Sequence, residues 1–231
     1  MKKSNIIIIM MILIGLLTSC TNGCLNLETD NNKRFEVSLP YEESFENGTF
    51  DYVIDCNPGY KWNIVNNKSN NYLECVDYKK DDIIIGNNIF DLVIGDKNWS
   101  DYSFSFDFYL TDSGFVSFSL YIDTNNDDTD HNYFSSRNPW ALEIKSNGKL
   151  LYTTLFDQGT YYIIDDANDL NCLNINNWNH VDLKLHSNEL EIYLNDEKIG
   201  SLTEQLNENR GRVSIGGDVG CKFDNLKVYL T

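Results

Sequence analysis

The chain has 231 residues, of which 42% are hydrophobic, so it is long enough to bury a substantial core. It carries 18 Lys and Arg against 35 Asp and Glu, which gives a formal net charge of −17 at pH 7. A charge of this sign repels phosphate backbones, so the composition argues against nucleic acid as a partner.

The N-terminal residues predict export. Lys2 and Lys3 precede an apolar run of twelve residues, 6–17. This run is shorter than the ~20 residues that a transmembrane helix needs, and it is typical of a secretory signal. The following Leu17-Thr18-Ser19-Cys20 resembles the bacterial lipobox. The resemblance implies cleavage before Cys20 and attachment of diacylglycerol to its sulfur. The alternative is an ordinary signal peptide with a chance cysteine.

These features divide the chain into three predicted segments. Residues 1–19 form the signal peptide, and residues 20–34 form a lipidated, polar tether. Residues 35–231 form one folded domain. We therefore expect an exported protein that its lipid holds to the cell membrane or the cell surface.

Alternation with a period of two dominates the folded segment, and no stretch of useful length has helical periodicity. Residues 102–110 carry an aromatic or aliphatic side chain at every second position, from Tyr102 to Leu110. The same pattern recurs at 116–122 and at 140–144. Each stretch predicts a strand with one buried face.

Turn residues join the predicted strands into hairpins. Ser146-Asn147-Gly148 marks one hairpin. Between 178 and 202, three alternating stretches are separated by Ser187-Asn188 and Asn195-Asp196, which predicts a meander. Many short strands with turns between them predict an all-β fold, an antiparallel β-sandwich.

Four segments carry a family resemblance: ESFENG at 43–48, WSDYSF at 99–104, WNHV through YLN at 178–195, and GRVSIG at 211–216 with FDNL at 223–226. They resemble the concanavalin A-like jelly-roll superfamily, the laminin G-like and carbohydrate-binding group. That superfamily includes lectins, carbohydrate-binding modules, glycoside hydrolases, adhesion domains and 3-keto-disaccharide hydrolase-like proteins. The resemblance therefore implies the fold and leaves the activity open. No segment matches the E-x-D-x-x-E strand motif of laminarinase-type hydrolases.

The cysteines predict disulfides, because export leads to an oxidising space. None of the spacings is C-x-x-C, so a zinc site is poorly supported. If Cys20 carries lipid and Cys24 lies in the tether, four cysteines remain, and four allow three pairings. We prefer the pairing of Cys56 with Cys75 and of Cys172 with Cys221.

One pair of carboxylates is a candidate for catalysis. Glu189 and Glu191 share one face of a predicted strand, as the paired carboxylates of a glycosidase would. The turn at 187–188 sets a register, however, that places His186 opposite Glu189 and Lys184 opposite Glu191. Cross-strand pairs of opposite charge are ordinary sheet stabilisation, so we predict no catalytic residue.

Two regions offer oxygen ligands for structural Ca²⁺, which takes 6–8 of them. The loop at 123–130 alternates such side chains but lacks the glycine and the closing glutamate of a calcium loop, so an acidic solvated loop is the alternative. Counting in twos from Leu226 places Asp224 on the buried face, near oxygens of Glu43 or Glu46. Backbone amides, or a bulge that turns Asp224 outward, would also satisfy its charge. The candidate metal ligands are Asp123, Asn125, Asp127, Asp130, Asp224 and Glu43.

Aromatic residues flank two long irregular stretches, 123–139 and 156–177, and long loops are often functional. Tyr and Trp offer an apolar ring and a polar group, which suits the mixed surface of a sugar. The candidate ligand-binding residues are Tyr133, Phe134, Trp140, Tyr161 and Tyr162. The alternative is that Trp140 and one of the two adjacent tyrosines belong to the core.

Together these features predict a membrane-anchored domain that binds a glycan or glycoprotein without catalysis. A glycoside hydrolase or related sugar-processing enzyme is one alternative. An adhesion module that binds protein is the other.

Overall fold

The computed structural model describes residues 37–51, 53–55, 59–78, 92–122, 140–154, 162–163, 170–186, 189–203 and 210–231. Among these residues all regular structure is β-strand, and no helix is present that could cross a membrane. The all-β prediction is confirmed.

The described strands are β1 (Tyr41–Glu43), β2 (Val53–Asp55), β3 (Tyr60–Asn67), β4 (Asn70–Tyr78), β5 (Leu92–Ile94), β6 (Tyr102–Leu110), β7 (Phe115–Ile122), β8 (Trp140–Lys145), β9 (Leu150–Thr154), β10 (Tyr162–Ile163), β11 (Asn177–His186), β12 (Glu189–Leu194), β13 (Glu197–Leu202), β14 (Arg212–Gly217) and β15 (Lys222–Leu230).

These strands form two antiparallel sheets. The large sheet has eight strands in the order β13-β12-β11-β6-β15-β4-β3, and β1 adds to it by pairing with β15. The small sheet has seven strands in the order β10-β9-β8-β7-β14-β5-β2. The central strands β6 and β15 of the large sheet come from distant parts of the chain, which is why local patterns alone cannot give the order.

The core lies between the two sheets, because the alternating apolar side chains of each sheet face the other. Phe106 of β6 is fully buried, and its ring centroid lies 5.3 Å from that of Phe118 on β7 in the opposite sheet. Phe104 and Phe223 also pack on Phe106, at 5.0 and 6.0 Å between centroids. The outward side chains of β6, such as Asp107, leave the other face of the large sheet polar.

The predicted turns are confirmed where they are described. Asn195 and Asp196 join β12 to β13 with φ of 50° and 69°, the left-handed conformation that both residues of a type I′ turn need. The hairpin between β8 and β9 turns at 146–148, where Gly148 has φ of 79° and donates its N–H to Lys145 O. Residues 187–188 lie outside the described residues.

The strand β15 departs from regular alternation at one point. Its pairing with β6 shifts register between Asp224 and Lys227, and Asn225 has φ of 52°. This bulge reverses the phase, so Asp224 lies opposite Asp107 on the outward side and not on the face of Leu226. Counting in twos from Leu226 was therefore wrong about the face, and the bulge considered as the alternative is present, but Asp224 is buried as predicted.

No disulfide bond is present among the described residues. The predicted bond between Cys172 and Cys221 is not formed, because the strand ladder brings Cys221 to Cys75: the Cys75 N–H donates to Cys221 O at 3.0 Å. Cys172 lies in the segment before β11, where its carbonyl accepts the Asn195 amide. Cys20 and Cys56 lie outside the described residues. The predicted bond between Cys56 and Cys75 therefore stays a prediction.

Candidate functional site

The outward side of the large sheet, which we call the outer face, carries polar and aromatic side chains from its four central strands. Along β11 the buried residues alternate with half-buried ones, which is the pattern of a sheet whose second side meets solvent. The residues that define the outer face are Trp178, His180, Asp182 and Lys184 of β11, Asp107 and Tyr109 of β6, Lys222, Asp224 and Tyr229 of β15, and Tyr72 and Glu74 of β4.

Three rings form an aromatic cluster at one end of the outer face. The Trp178 ring lies 5.9 Å from that of Tyr72 and 6.1 Å from that of Tyr109, between centroids and close to perpendicular in both cases. Trp178 and Tyr72 stand on strands that β6 and β15 separate, so their backbones are about 14 Å apart at ~4.8 Å per strand. The side chains therefore lean together and make one continuous aromatic surface.

Lys222 packs against two rings of this aromatic cluster. Its ammonium nitrogen lies 4.9 Å from the ring centroid of Tyr72 and 4.8 Å from that of Tyr109, and 3.9 Å from Glu74 Oε1. Cation–π attraction to both rings fixes their separation. The rings are thus held in place before any ligand arrives.

A polar cluster adjoins the aromatic cluster in the next row of the sheet. His180 Nδ1 lies 2.6 Å from Asp107 Oδ1, and the Asn225 amide donates to Asp107 Oδ2 at 2.8 Å. The neighbouring Asp224 accepts the Asn70 amide at 2.7 Å and its own following backbone N–H, that of Asn225, also at 2.7 Å. These side chains present amide, imidazole and carboxylate groups beside the aromatic surface.

The surroundings of Asp107 and Asp224 shift the pKa values of these two opposed carboxyls in opposite directions. Burial alone would raise the pKa of Asp107, but hydrogen bonds from His180 and Asn225 outweigh it and lower that pKa. Burial raises the pKa of Asp224, and the charges of Asp107 and Glu46 add to the effect. Asp224 is only 2% exposed, whereas the side chain of Asp107 is 31% exposed, so Asp107 is the carboxylate that a ligand could reach.

At the other end of the outer face, charged and polar side chains form ion pairs and hydrogen bonds with one another. Tyr229 donates to Asp182 at 2.7 Å, and Lys184 lies 3.1 Å from Asp182 and above the Tyr193 ring. The predicted register is confirmed, because Lys184 pairs with Glu191 and His186 with Glu189. Glu191 also accepts the Tyr193 hydroxyl at 3.0 Å and pairs with Lys198, as sheet-stabilising groups do.

Most of the predicted ligand-binding residues lie outside the described residues. This holds for Tyr133, Phe134 and Tyr161. Trp140 begins β8 and pairs with Leu120 and Thr154, and Tyr162 lies in β10 opposite Tyr152. Both strands belong to the small sheet, whereas the outer face is formed by the large sheet.

Of the candidate metal ligands, only Glu43 and Asp224 lie among the described residues. Asp123, Asn125, Asp127 and Asp130 lie outside the described residues. Glu43 is buried on β1, its Oε1 accepts the Phe45 N–H at 2.7 Å, and burial raises its pKa. In the described part of the chain no group of three or more His, Cys, Asp or Glu is arranged to hold a metal ion. Calcium stays a prediction.

Of the two clusters on the outer face, the sequence indicated only Asp224, as a candidate metal ligand, and missed the other residues. Their signal was present, since Asp107 and Tyr109 alternate with the core phenylalanines of β6, and Trp178 and His180 alternate with the core residues of β11. The sequence pattern does not contain the strand order that brings β4, β15, β6 and β11 side by side.

A pH titration tests the contact between His180 and Asp107. The hydrogen bond to Asp107 raises the pKa of His180, and the charges of Asp182 and Asp196 also favour its protonated form. The pair therefore stabilises the fold fully below about pH 6.5, the ordinary histidine pKa, and this stabilisation is lost as pH rises through the raised value. At the acid end it is lost as pH falls through the lowered pKa of Asp107.

We expect the NMR titration midpoint of His180 to fall in Asp107→Asn. His186 lies on the same strand, and its imidazole contacts Glu191 instead, so its ring signals serve as the control. A His180 midpoint equal in both proteins would show that the contact with Asp107 is not formed in solution.

No protein-family model matches the chain, and no curated protein matches it. Among solved structures it is similar to a glycosidic hydrolase with 11% identity and a TM-score of 0.54, over 84% of this chain and 96% of that one. It is also similar to an endo-β-galactosidase from Clostridium perfringens that releases GlcNAcα1-4Gal, with 12% identity, a TM-score of 0.55, and coverage of 85% and 64%. A carbohydrate-binding module of Bacillus subtilis has 11% identity, a TM-score of 0.47, and coverage of 76% and 98%. The domain is a jelly-roll β-sandwich.

Proposed function

We propose that this protein is an exported lipoprotein whose jelly-roll domain binds a carbohydrate on the outer face of the large sheet. The observation that carries the proposal is the aromatic cluster of Trp178, Tyr109 and Tyr72 beside the partly exposed carboxylate of Asp107. A sugar ring has apolar C–H faces and a rim of hydroxyls. The rings would cover the apolar face, and Asp107, His180 and Asn225 would bond the hydroxyls.

The fold supports this proposal. Two of the similar solved structures are a glycosidic hydrolase and an endo-β-galactosidase, and a sandwich of this kind offers a broad face for an extended ligand. The loops at 123–139 and 156–177, where the sequence predicted the contacts, lie mostly outside the described residues.

A glycoside hydrolase is the second candidate, because Asp107 and Asp224 face each other with pKa values pushed in opposite directions. Such a separation is what a nucleophile or base and a general acid require. Against it, Asp224 is 2% exposed and already accepts two hydrogen bonds, so a glycosidic oxygen could not reach it without displacing them. We therefore favour binding over catalysis.

A glycan array probed with residues 21–231 tests the proposal, and a reducing-sugar assay on every bound glycan separates the candidates. Binding without sugar release supports the lectin-like function. Release that Asp107→Asn abolishes would establish the hydrolase. Binding to no glycan, together with capture of a protein at the cell surface, would favour the adhesion module.

The lipid anchor has its own test. Cys20→Ser removes the thiol that diacylglycerol would modify, so we expect unprocessed precursor and no incorporation of radiolabelled palmitate. The matched control is Cys24→Ser, which lies four residues further along the same segment and should leave labelling intact. Palmitate that still enters the Cys20→Ser protein would contradict the lipobox prediction.

A further inference from the structure

Immediately before β15, a bulge places two cysteines opposite each other. Gly220 donates its N–H to Cys75 O at 2.7 Å, and the Cys75 N–H donates to Cys221 O at 3.0 Å. Gly220 has φ of 91°, and the Cys221 N–H closes the preceding turn on Asp218 O at 3.0 Å. This is a G1 bulge, in which Gly220 and Cys221 together oppose Cys75.

Both cysteine side chains point into the core. Along β4 the buried residues are Asn71, Leu73 and Cys75, and Leu73 pairs with Phe223, which is also fully buried. Cys221 precedes Phe223 by two residues and therefore shares its face. Cys75 and Cys221 are each 0% exposed.

The sulfurs lie at the same end of the sandwich. Cys221 Sγ is 3.2 Å from Phe115 O, at the start of β7, and Cys75 Sγ is 3.8 Å from Asp77 O, at the end of β4. Contacts from a thiol to a carbonyl are weak hydrogen bonds. Hydrogen-bonded cross-strand residues have Cα atoms about 5.5 Å apart, inside the range of about 4.4–6.8 Å that disulfides span.

We propose that Cys75 and Cys221 form a disulfide bond when the protein folds in an oxidising environment. The bond would tie β4 to β15 and so join the middle of the chain to its last strand. It takes the place of both pairings predicted from the sequence, since it uses one cysteine of each. The inference is independent of the proposed carbohydrate site, because both sulfurs lie on the inner side of the large sheet.

The chemistry is thiol–disulfide exchange with an oxidant that carries a disulfide. One cysteine thiolate attacks a sulfur of the oxidant, which forms a mixed disulfide and releases the oxidant's other sulfur as a thiolate. The second cysteine thiolate then attacks the protein sulfur of the mixed disulfide and releases the remaining thiolate. The two cysteines lose two electrons and two protons, and the oxidant's sulfurs gain them. Because both sites are closed in the folded state, exchange takes place before the core is complete.

Oxidative refolding tests the proposal without relying on export. The full chain is reduced in guanidinium and refolded with glutathione as the redox buffer. Remaining thiols are blocked with N-ethylmaleimide, and the protein is digested without reduction for mass mapping. We expect a linked pair of peptides that contain Cys75 and Cys221, and the same pair in the control variant Cys172→Ser. Alkylation of both cysteines, or a link from either to Cys56 or Cys172, would overturn the proposal.

A melting experiment checks the consequence. A disulfide that closes a loop of this length typically stabilises enough to raise the Tm of a domain this size by about 4–16 °C. We expect that difference between the refolded protein and the Cys75→Ser/Cys221→Ser variant when no reductant is present, and a much smaller one when both are melted with a strong reductant. If the difference in Tm between the two proteins is the same with and without reductant, the effect comes from packing, and the proposed disulfide is overturned.

Discussion

Replacing Trp178 by alanine is expected to weaken binding of the glycan selected on the array by ten-fold or more. The Trp178 ring contacts both other rings of the aromatic cluster, so its removal opens the middle of the surface on which the sugar would stack. Aromatic residues at the centre of a binding surface commonly contribute about 2 kcal/mol or more, which corresponds to a loss beyond ten-fold. Titration calorimetry with the purified domain measures the change.

The matched control for this experiment is Tyr78→Ala. Tyr78 is an exposed aromatic, 40% accessible, and it stacks on Tyr60 at the edge of the large sheet and not on the aromatic cluster. Its removal should leave the affinity unchanged. If Trp178→Ala binds as tightly as the wild type while its melting curve is normal, the ligand does not contact the aromatic cluster, and the site lies elsewhere.

Replacing Phe106 by alanine is expected to have the largest effect on stability. Phe106 is fully buried and is the one ring in the described core that contacts Phe104, Phe108, Phe118 and Phe223, and thus both sheets. Truncation of a buried phenylalanine lowers the free energy of unfolding by about 3–5 kcal/mol, through lost transfer energy and the cavity left behind. For a domain of this size, that loss lowers the Tm by about 6–20 °C.

Chemical denaturation measures this change, with Phe106→Leu as the control. Leucine keeps most of the buried volume and should therefore lose less than about 1.5 kcal/mol. Similar losses in the two variants would mean that the cavity does not determine the cost, and that the two sheets do not depend on this ring for their packing.

The strands were predictable because alternation is a local signal. In β6, for example, Phe104, Phe106 and Phe108 identify the buried face, whatever the strand pairs with. The meander of β11, β12 and β13 was predictable in register as well, since two-residue turns fix which residues oppose each other. That is why the pairing of Lys184 with Glu191 is found as expected.

The outer face could not be predicted, because its residues come together only through strand order. Tyr72, Asp107 and Trp178 lie far apart in the chain, and no local pattern indicates that β15 inserts between β4 and β6. Bulges are a second reason. The register shift after Asp224 adds one residue to the strand, and counting in twos cannot detect it.

The disulfide pairing could not be predicted either, because it also depends on which strands lie side by side. Four cysteines allow three pairings, and their spacing in the sequence does not select one of them. The ladder between β4 and β15 is a long-range contact, and the glycine before Cys221 becomes informative only when Cys75 is known to lie opposite.

The central claim, that the outer face of the large sheet binds carbohydrate, is tested most directly by a crystal structure of residues 21–231 with the glycan selected on the array. We predict a sugar ring stacked on Trp178 or Tyr109, with a hydroxyl within hydrogen-bond distance of Asp107 or His180. A glycan bound at residues 123–139 or 156–169, with the outer face empty, would contradict the claim and return the site to the loops.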